Sequence, residues 1–189
     1  MSVRVIAGSA KGRRLEVPEL DGLRPTTGRL KQVLFDLLAG DVEGAVVLDL
    51  YAGSGQLGIE ALSRGAREVT FVETDPRARD AIRANLERCG FEGWIVAEPV
   101  ERFLSEPRPA DLALVDPPYA RGLGSLVAAL EALAGSTSDG ATVAIEAPAG
   151  LVLPAGILER RRRRAGSTEL VVATIVCRPP PSIPGPSTR

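Results

Sequence analysis

A glycine-rich turn between two acidic residues is the first feature of this chain that could do chemistry. Residues 46–60 read VVLDLYAGSGQLGIE, with Asp49 inside an apolar run. Such a run is typical of a strand at the centre of a parallel sheet. The glycines that follow are spaced as Gly53-x-Gly55-x-x-Gly58. Gly53 and Gly55 allow a tight turn that a ligand can approach closely, and Gly58 would let the new helix pack close to its strand. The N–H groups of the helix start favour an anionic group.

An acid downstream of the turn indicates which ligand binds there. Glu73 follows Gly53 by 20 residues, the spacing expected for a carboxylate that holds two ribose hydroxyls. In dinucleotide-binding proteins the glycine turn usually follows its strand at once, whereas here three residues separate Asp49 from Gly53. The stretch Asp-Leu-Tyr-Ala-Gly-Ser-Gly instead resembles the first motif of the methyltransferases that use S-adenosylmethionine.

A second group of reactive residues follows a later apolar run and reads Asp116-Pro117-Pro118-Tyr119. Proline has no N–H group, so two in succession leave only carbonyl acceptors on a stiff backbone. The Asp116 carboxylate and the Pro117 carbonyl can therefore accept both hydrogens of one NH₂ group, while Tyr119 offers a face for base stacking. Two such acceptors favour the pyramidal form of a nucleobase amine, which is otherwise a poor nucleophile. The motif predicts group transfer to an amine held in line with the cofactor.

Composition narrows the class of protein. The 189 residues suffice for one domain with a full core. The chain has no histidine and two cysteines, Cys89 and Cys177, which argues against Ser-His and Cys-His catalysis and against a metal site. The sequence shows no long apolar run and no signal-peptide core, so we expect a soluble, cytoplasmic protein.

The net charge is −1, but basic residues are concentrated in two places. Five consecutive arginines span residues 160–164. The other group lies in the N-terminal segment and comprises Arg4, Lys11, Arg13, Arg14, Arg24, Arg29 and Lys31. Because phosphate binding depends on local clusters more than on total charge, these clusters favour a nucleic-acid partner.

Apolar periodicity predicts an α/β fold with a parallel sheet. After the strand at 46–50, strands are expected at 68–73, 94–97, 111–115 and 141–146, and helices at 75–88, 100–105 and 124–134. Segments 158–164 and 169–177 read as an antiparallel pair, with the arginine run on an edge strand.

The N-terminal segment is predicted to be an appendage of this domain. Residues 2–17 read as a basic hairpin, and a helix of about a dozen residues follows Arg24-Pro25-Thr26-Thr27, with Thr26 or Thr27 as N-cap. We expect one domain over residues 1–178, in which 1–40 form the extension and 41–178 the catalytic core. Residues 179–189 are a Pro/Ser-rich tail that is expected to be flexible.

Several motifs carry a specific family resemblance. DLYAGSG, VETD and DPPY occur in the order seen in amino-group methyltransferases. The opening RVIAGSAKGRRL, the later LRPTTGRLKQVLF and the Gly-Ser-Thr at 166–168 resemble the bacterial 16S rRNA guanine-N2 methyltransferases (the RsmD family). The resemblance covers nearly the whole chain up to the tail. It implies a Rossmann-like class I methyltransferase fold dependent on S-adenosylmethionine, with a seven-stranded, mostly parallel sheet, its last strand antiparallel, and an N-terminal hairpin and helix that engage RNA.

The resemblance also implies a substrate and site residues. The target is the N2 amine of the guanine at position 966 of 16S rRNA, in the 30S subunit or its assembly intermediate, and we expect a monomer without metal or membrane. Cofactor contacts are expected from Asp49, Tyr51, Gly53, Ser54, Gly55, Glu73, Thr74, Glu98 and Val100. The catalytic set is Asp116, Pro117, Pro118 and Tyr119. RNA contacts are expected from Lys11, Arg13, Arg14, Arg24, Thr26 and Arg29.

Some positions depart from the family pattern, and other functions stay open at this point. Gly28 stands where the family often has an acid, and Gln32 where Glu is common. Where the family has Asp or Asn near the adenine of the cofactor, this chain reads Ala97-Glu98-Pro99-Val100, so Glu98 or the Val100 N–H is expected to replace it. The DPPY motif serves adenine N6 as well as guanine N2, although the N-terminal match and the lack of a separate DNA-recognition domain favour guanine. The intact acids argue against a binding protein without chemistry. A nicotinamide oxidoreductase would leave DPPY unexplained.

Overall fold

The apolar runs of the sequence form the strands of one large sheet. The computed structural model describes residues 3–18, 28–118 and 122–176, so Arg24, Thr26, Tyr119 and the tail at 179–189 lie outside the described residues. The elements in chain order are β1 Val3–Arg4, β2 Arg14–Leu15, α1 Gly28–Leu37, β3 Val46–Leu50, α2 Gln56–Ser63, β4 Glu68–Val72, α3 Pro76–Cys89, β5 Trp94–Val96, α4 Val100–Phe103, β6 Leu112–Val115, α5 Gly122–Ser136, β7 Thr142–Pro148, β8 Ile157–Ala165 and β9 Thr168–Ile175. These bounds agree closely with the predicted strands and helices of the α/β region.

The strand order of the sheet places a ligand crevice at its centre. The order is β5-β4-β3-β6-β7-β9-β8. Strands β3 to β7 pair in parallel, and β9 is antiparallel to both β7 and β8, which confirms the predicted topology. The chain builds outward from β3 through β4 and β5, then crosses to β6 on the other side of β3. Sheets of this kind bind ligands at the carboxyl ends of the strands where the order reverses, here β3 and β6.

Two apolar layers cover the sheet. Helices α1, α2 and α3 pack on one face, and α4 and α5 pack on the other. The N-terminal hairpin joins the first layer, because Val5, Ala10 and Leu15 are buried in the same cluster as those three helices. The hairpin strands β1 and β2 are only two residues long, so packing against the domain stabilises them more than their own pairing does.

Buried polar groups lock the hairpin onto α2. The carboxylate of Glu60, which is 0% exposed, accepts hydrogen bonds from the N–H groups of Ile6 at 2.9 Å and Ala7 at 3.0 Å. One turn later, Ser63 Oγ accepts from the Ala10 N–H and donates to the Ala7 carbonyl. The main chain of the hairpin thus finds its hydrogen-bond partners on α2, as buried backbone groups must.

An ion pair inside this interface ties α1 to the same place. Lys31 and Glu60 are both fully buried, with 3.0 Å between Nζ and Oε2, and Lys31 Nζ also donates to the Arg4 carbonyl. Burial lowers the pKa of Lys31, against the opposing effect of Glu60. Burial alone would raise the pKa of Glu60, but the charge of Lys31 and the Ile6 N–H lower it below its ordinary value of 4.5.

The arginine run lies on the edge strand β8, as predicted, and much of its charge is compensated. Arg160 pairs with Asp41, and Arg162 pairs with Glu159 and Glu169. A register irregularity between Glu159 and Arg161 interrupts the alternation of side chains, and Arg161 donates to the Leu37 carbonyl at the end of α1. Charge and a bulge on an edge strand discourage pairing with another sheet.

None of the helices in the described part of the chain combines the length and apolar character needed to cross a bilayer.

The Lys31–Glu60 pair should dominate the acid sensitivity of the fold. Glu60→Gln should lower the free energy of unfolding at neutral pH by about 3–5 kcal/mol, because it leaves the buried Lys31 ammonium without its counter-ion. An acid whose pKa is lowered by folding stabilises only while it is ionised. The wild-type protein should therefore lose this contribution as the pH falls below 4.5 and through the lower pKa of folded Glu60.

Urea unfolding between about pH 3 and pH 7 measures this effect. The curve of Glu60→Gln should fall less steeply with acid than that of the wild type. Asp80→Asn is the control, since it removes an exposed pair with Arg83 and should cost less than about 1 kcal/mol. Equal losses in the free energy of unfolding for the two variants would show that the buried pair contributes no more to stability than an exposed one.

Candidate active site

A buried carboxylate holds the end of β3 against the start of α2. Asp49 is 2% exposed, and its Oδ2 accepts a hydrogen bond from the N–H of Gly58 at 2.9 Å. Gly58 lies in the first turn of α2, where N–H groups have no partner within the helix. Asp49 therefore caps the helix from a neighbouring strand and is favoured there by the helix dipole. The sequence predicted that N–H groups at the helix start face a ligand, but the Gly58 N–H is hydrogen-bonded to Asp49 instead.

Only glycine fits at position 58. A Cβ atom there would lie 2.3 Å from Cε1 of Phe71 on β4 and 2.9 Å from the Asp49 carboxylate. The turn that leads to it is left-handed at Gly53 and Gly55, with φ of 54° and 78°, which confirms the predicted tight turn. Tyr51 also has a positive φ, 61°, a strained value for a residue with a side chain and one that is concentrated at functional sites.

Glu73 shapes the same turn from the end of β4. One carboxylate oxygen accepts from the N–H of Gly53 and the other from the N–H of Asp75, both at 2.8 Å. An ionised carboxylate can accept about four hydrogen bonds, and Glu73 is only half-buried. It therefore keeps capacity for two hydroxyl donors of a ligand.

Acids lie at or near the carboxyl ends of four neighbouring strands of the sheet. In the order β4, β3, β6 and β7 they are Glu73, Asp49, Asp116 and Glu146. Val115 lies beside Ile145 in the parallel register, so Asp116 and Glu146 are the next residues on adjacent strands. The sequence analysis did not single out Glu146. Its signal was the same as that of the others, an acid at the carboxyl end of a predicted strand.

Negative charge accumulates at this edge of the sheet. Burial raises the pKa of Asp49 well above its ordinary value of 3.8, while the Gly58 N–H opposes the rise and the carboxylates of Asp116 and Glu73 add to it. Three carboxylates thus lie within electrostatic range of one another. The arrangement favours a ligand that carries positive charge.

The Asp-Pro-Pro segment leaves the sheet beside this acidic edge. It follows β6, whose four residues are buried at 1% exposure or less. Asp116 and Pro117 are half-buried and Pro118 is exposed. Acceptors in this place can reach a substrate while their strand stays rigid. Tyr119, the predicted stacking residue, lies outside the described part of the chain.

The remaining predicted cofactor residues differ in their exposure and in their contacts. Ser54 is 1% exposed and Thr74 is exposed. Val100 is buried at the first position of α4. Glu98 pairs with Arg102 on that helix, with 3.4 Å between the charged atoms, so its carboxylate is already engaged by a neighbouring cation.

The predicted RNA-binding residues lie on the surface of the first layer. Lys11, Arg13 and Arg14 are exposed on the hairpin, and Arg29 is exposed on α1. Arg88, which the sequence analysis missed, donates to the Arg14 carbonyl and pairs with Glu16, so it enlarges the basic surface of the hairpin. Arg24 and Thr26 belong to a segment outside the described residues.

Sheet order, switch point and glycine turn together define the Rossmann-like fold that methyltransferases share. A putative methyltransferase solved in complex with SAH shares this fold, with a TM-score of 0.62, 14% identity, 82% coverage of this chain and 50% of that one. The chain belongs to the family described as Conserved hypothetical protein 95, whose model matches residues 3–174. This confirms the family resemblance in the sequence.

Named relatives make the comparison more specific. Ribosomal RNA small subunit methyltransferase D of Escherichia coli is 39% identical over 123 residues, which are 64% of this chain and 62% of that protein. The match thus spans less than two thirds of that relative. A solved putative methyltransferase from Escherichia coli has a TM-score of 0.84 and 31% identity, and the alignment covers 94% of this chain and 100% of that one.

The residues at the site fit S-adenosylmethionine. The ligand carries a sulfonium, an ammonium group and two ribose hydroxyls. The carboxyl groups of Glu73 and Asp116, whose charges act on Asp49, can attract the cationic groups, and Glu73 offers acceptors to the hydroxyls. Glycines at the turn leave the backbone open to the ligand.

Adding one methyl group at position 58 should test the close approach of α2. Gly58→Ala should lower the free energy of unfolding by about 1–3 kcal/mol, because Phe71 and Asp49 leave no room for a Cβ atom. It should also weaken binding of S-adenosylhomocysteine, since the shift of α2 moves the turn. Gly124→Ala on α5 faces open space and should change neither quantity for the worse. Chemical unfolding and calorimetric titration measure both; unchanged values for Gly58→Ala would mean that α2 does not determine the site.

Proposed function

We propose that this protein transfers the methyl group of S-adenosylmethionine to the N2 amine of a guanine in 16S rRNA, the base at position 966. The observation that carries the proposal is the position of Asp116 and Pro117, at the end of β6 beside the cofactor turn. The substrate class is that named for the Escherichia coli relative. The small ribosomal subunit or its assembly intermediate is proposed as the partner, and the enzyme as a cytoplasmic monomer.

The cofactor is held by the turn and by the strand ends on either side. Glu73 accepts from the ribose hydroxyls, and Gly53, Ser54 and Gly55 form the wall against which the ligand lies. Asp49 keeps α2 in place through its hydrogen bond with the Gly58 N–H. Tyr51, Thr74, Glu98 and Val100 complete the set, with the Val100 N–H as the adenine contact because Arg102 engages the Glu98 carboxylate.

The base amine is held by acceptors. S-adenosylmethionine supplies an electrophilic methyl group on its sulfonium. Asp116 and the Pro117 carbonyl accept the two amine hydrogens, which concentrates the nitrogen lone pair on the side of that methyl group. As the N–C bond formed and the bond between the methyl group and the sulfonium broke, S-adenosylhomocysteine would be released and positive charge would develop on the nitrogen. The Asp116 carboxylate would stabilise that charge and accept one amine proton. Positioning and electrostatics supply most of such a rate, so no histidine is needed.

The neighbouring acid favours guanine over adenine. Guanine has an N1–H donor next to its N2 amine, whereas adenine has an N1 acceptor next to its N6 amine. Glu146 lies on the strand next to Asp116, each one residue beyond the Val115–Ile145 pair. The main chains of neighbouring strands are about 4.8 Å apart. A second carboxylate there accepts from the guanine N1–H and repels the adenine N1. Adenine-N6 methylation is thus the weaker candidate.

The hairpin and α1 are the proposed RNA-binding surface. Lys11, Arg13 and Arg14 contact phosphates, supported by Arg88, and Arg29 adds charge beside the Arg24–Thr26 segment. The domain assignment of an RNA-binding extension at 1–40 on a catalytic core at 41–178 follows from this. Because the acceptors at Asp116 lie in a half-buried site, the target base must leave its stack to reach them.

Methyl transfer from labelled S-adenosylmethionine tests the proposal. Unmodified 30S subunits, naked 16S rRNA and duplex DNA are offered separately, and mass spectrometry identifies the modified nucleoside. N2-methylguanosine is expected from the RNA substrates. Asp116→Ala should abolish transfer and retain cofactor binding, while Asp80→Ala, an exposed acid on α3, should retain both. N6-methyladenine would overturn the base assignment, and normal turnover of Asp116→Ala would overturn the mechanism.

Salt dependence tests the RNA surface separately. Arg13→Ala and Arg14→Ala should each weaken RNA binding and reduce the slope of log affinity against log salt by about 0.7–0.9, because each removes one phosphate contact. Affinity for S-adenosylhomocysteine should not change. Arg102→Ala, an exposed arginine on α4, should leave the RNA slope at its wild-type value. Equal slopes for all variants would exclude the hairpin from the interface.

A further inference from the structure

One side chain joins the hairpin directly to the cofactor turn. Asn85 on α3 is 0% exposed and uses its whole amide. Its Oδ1 accepts from the Glu16 N–H at 2.7 Å, and its Nδ2 donates to the Glu16 carbonyl at 2.8 Å and to the Ser54 carbonyl at 3.0 Å. Glu16 immediately follows the last strand of the hairpin, and Ser54 lies between the two glycines of the turn.

This contact differs from the others that hold the hairpin. Glu60 and Ser63 bind the hairpin from the second half of α2, away from the turn. Asn85 binds it at the turn, where Ser54 is flanked by Gly53, whose N–H is held by Glu73. A displacement of the turn, where Ser54 is buried, therefore reaches the exposed residue Glu16 through a single amide.

We propose that Asn85 is a positioning residue that couples cofactor binding to the order of the RNA-contacting hairpin. The cofactor fixes the turn, the turn fixes the Asn85 amide through the Ser54 carbonyl, and the amide fixes Glu16 and the basic strand before it. Such coupling is reciprocal, so RNA bound to the hairpin must tighten cofactor binding by the same factor. The RNA half of this statement rests on the proposed function, whereas the cofactor half requires only the cofactor.

Amide hydrogen exchange on the whole protein tests the cofactor half. The reporters are the Ile6 and Ala7 amides, which bind Glu60 and make no bond to Asn85. In the wild type, saturating S-adenosylhomocysteine should slow their exchange by about fivefold or more, the lower end of typical coupling factors. The diagnostic quantity is the ratio of rates with and without ligand, because a purely structural role would change both rates and leave their ratio alone.

Two variants and one control separate coupling from stability. Asn85→Ala removes all three bonds, and Asn85→Asp keeps the shape and one acceptor but loses both donors, so the ratio should fall to about one in each. Glu16→Ala is the matched control. It removes only the side chain and its contact with Arg88, keeps the main-chain bonds to Asn85, and should retain the wild-type ratio.

The outcomes are decisive without a folded Asn85→Ala protein. A wild-type ratio of one would overturn the proposal by itself, and so would a wild-type ratio retained in Asn85→Asp. The RNA half is then measured as the affinity for naked 16S rRNA with and without S-adenosylhomocysteine, where the wild type should bind RNA more tightly with the ligand and Asn85→Asp should show no gain. If the wild type bound no RNA, the proposed function would fail while the exchange ratio still decided the coupling.

Discussion

The close approach of α2 to the sheet determines the rest of the site. One hydrogen bond, from the Gly58 N–H to the Asp49 carboxylate at 2.9 Å, joins the first turn of the helix to the central strand. The helix can come this near only because residue 58 has no side chain to collide with Phe71. The glycine turn, the position of Glu73 and the crevice beside β6 all follow from that distance. The same bond offsets part of the cost of burying a carboxylate.

The hairpin is part of the domain rather than an arm attached to it. Its apolar residues belong to the same cluster as α1, α2 and α3, and its main chain is satisfied by the side chains of Glu60, Ser63 and Asn85. Two-residue strands would not persist alone in water. The basic surface of the hairpin is thus positioned by the same core that positions the glycine turn, so the two are held in a defined relation.

Acidic and basic residues are concentrated in two different regions, the strand ends and the hairpin. The strand ends carry acids, which suit a cationic cofactor and the acidic hydrogens of a base amine. The hairpin carries cations, which suit phosphate. On β8, in contrast, Arg160 and Arg162 pair with acids of the chain, which reduces their availability to RNA. The overall charge near zero therefore conceals a basic surface and an acidic crevice.

The linear sequence by itself determined the order of strands and helices, the glycine turn and the acids that end three strands. These are local signals, since periodicity and turn chemistry act over a few residues. It also predicted that Gly58 permits close packing, because the spacing of the turn requires it. The end of the hairpin, the arginine edge strand and the antiparallel last strand were likewise readable from short runs of residues.

Only the tertiary structure decided how distant residues meet. Glu60 and Ile6 are 54 positions apart, and Asn85 and Glu16 are 69 apart, so no local pattern relates them. An asparagine in the middle of a helix or a glutamate in an apolar helix is ambiguous until its partners are known. Glu146 became part of the acidic row only when β7 was placed beside β6. These contacts depend on chain topology, because residues far apart in sequence come close only after the sheet has brought their elements together.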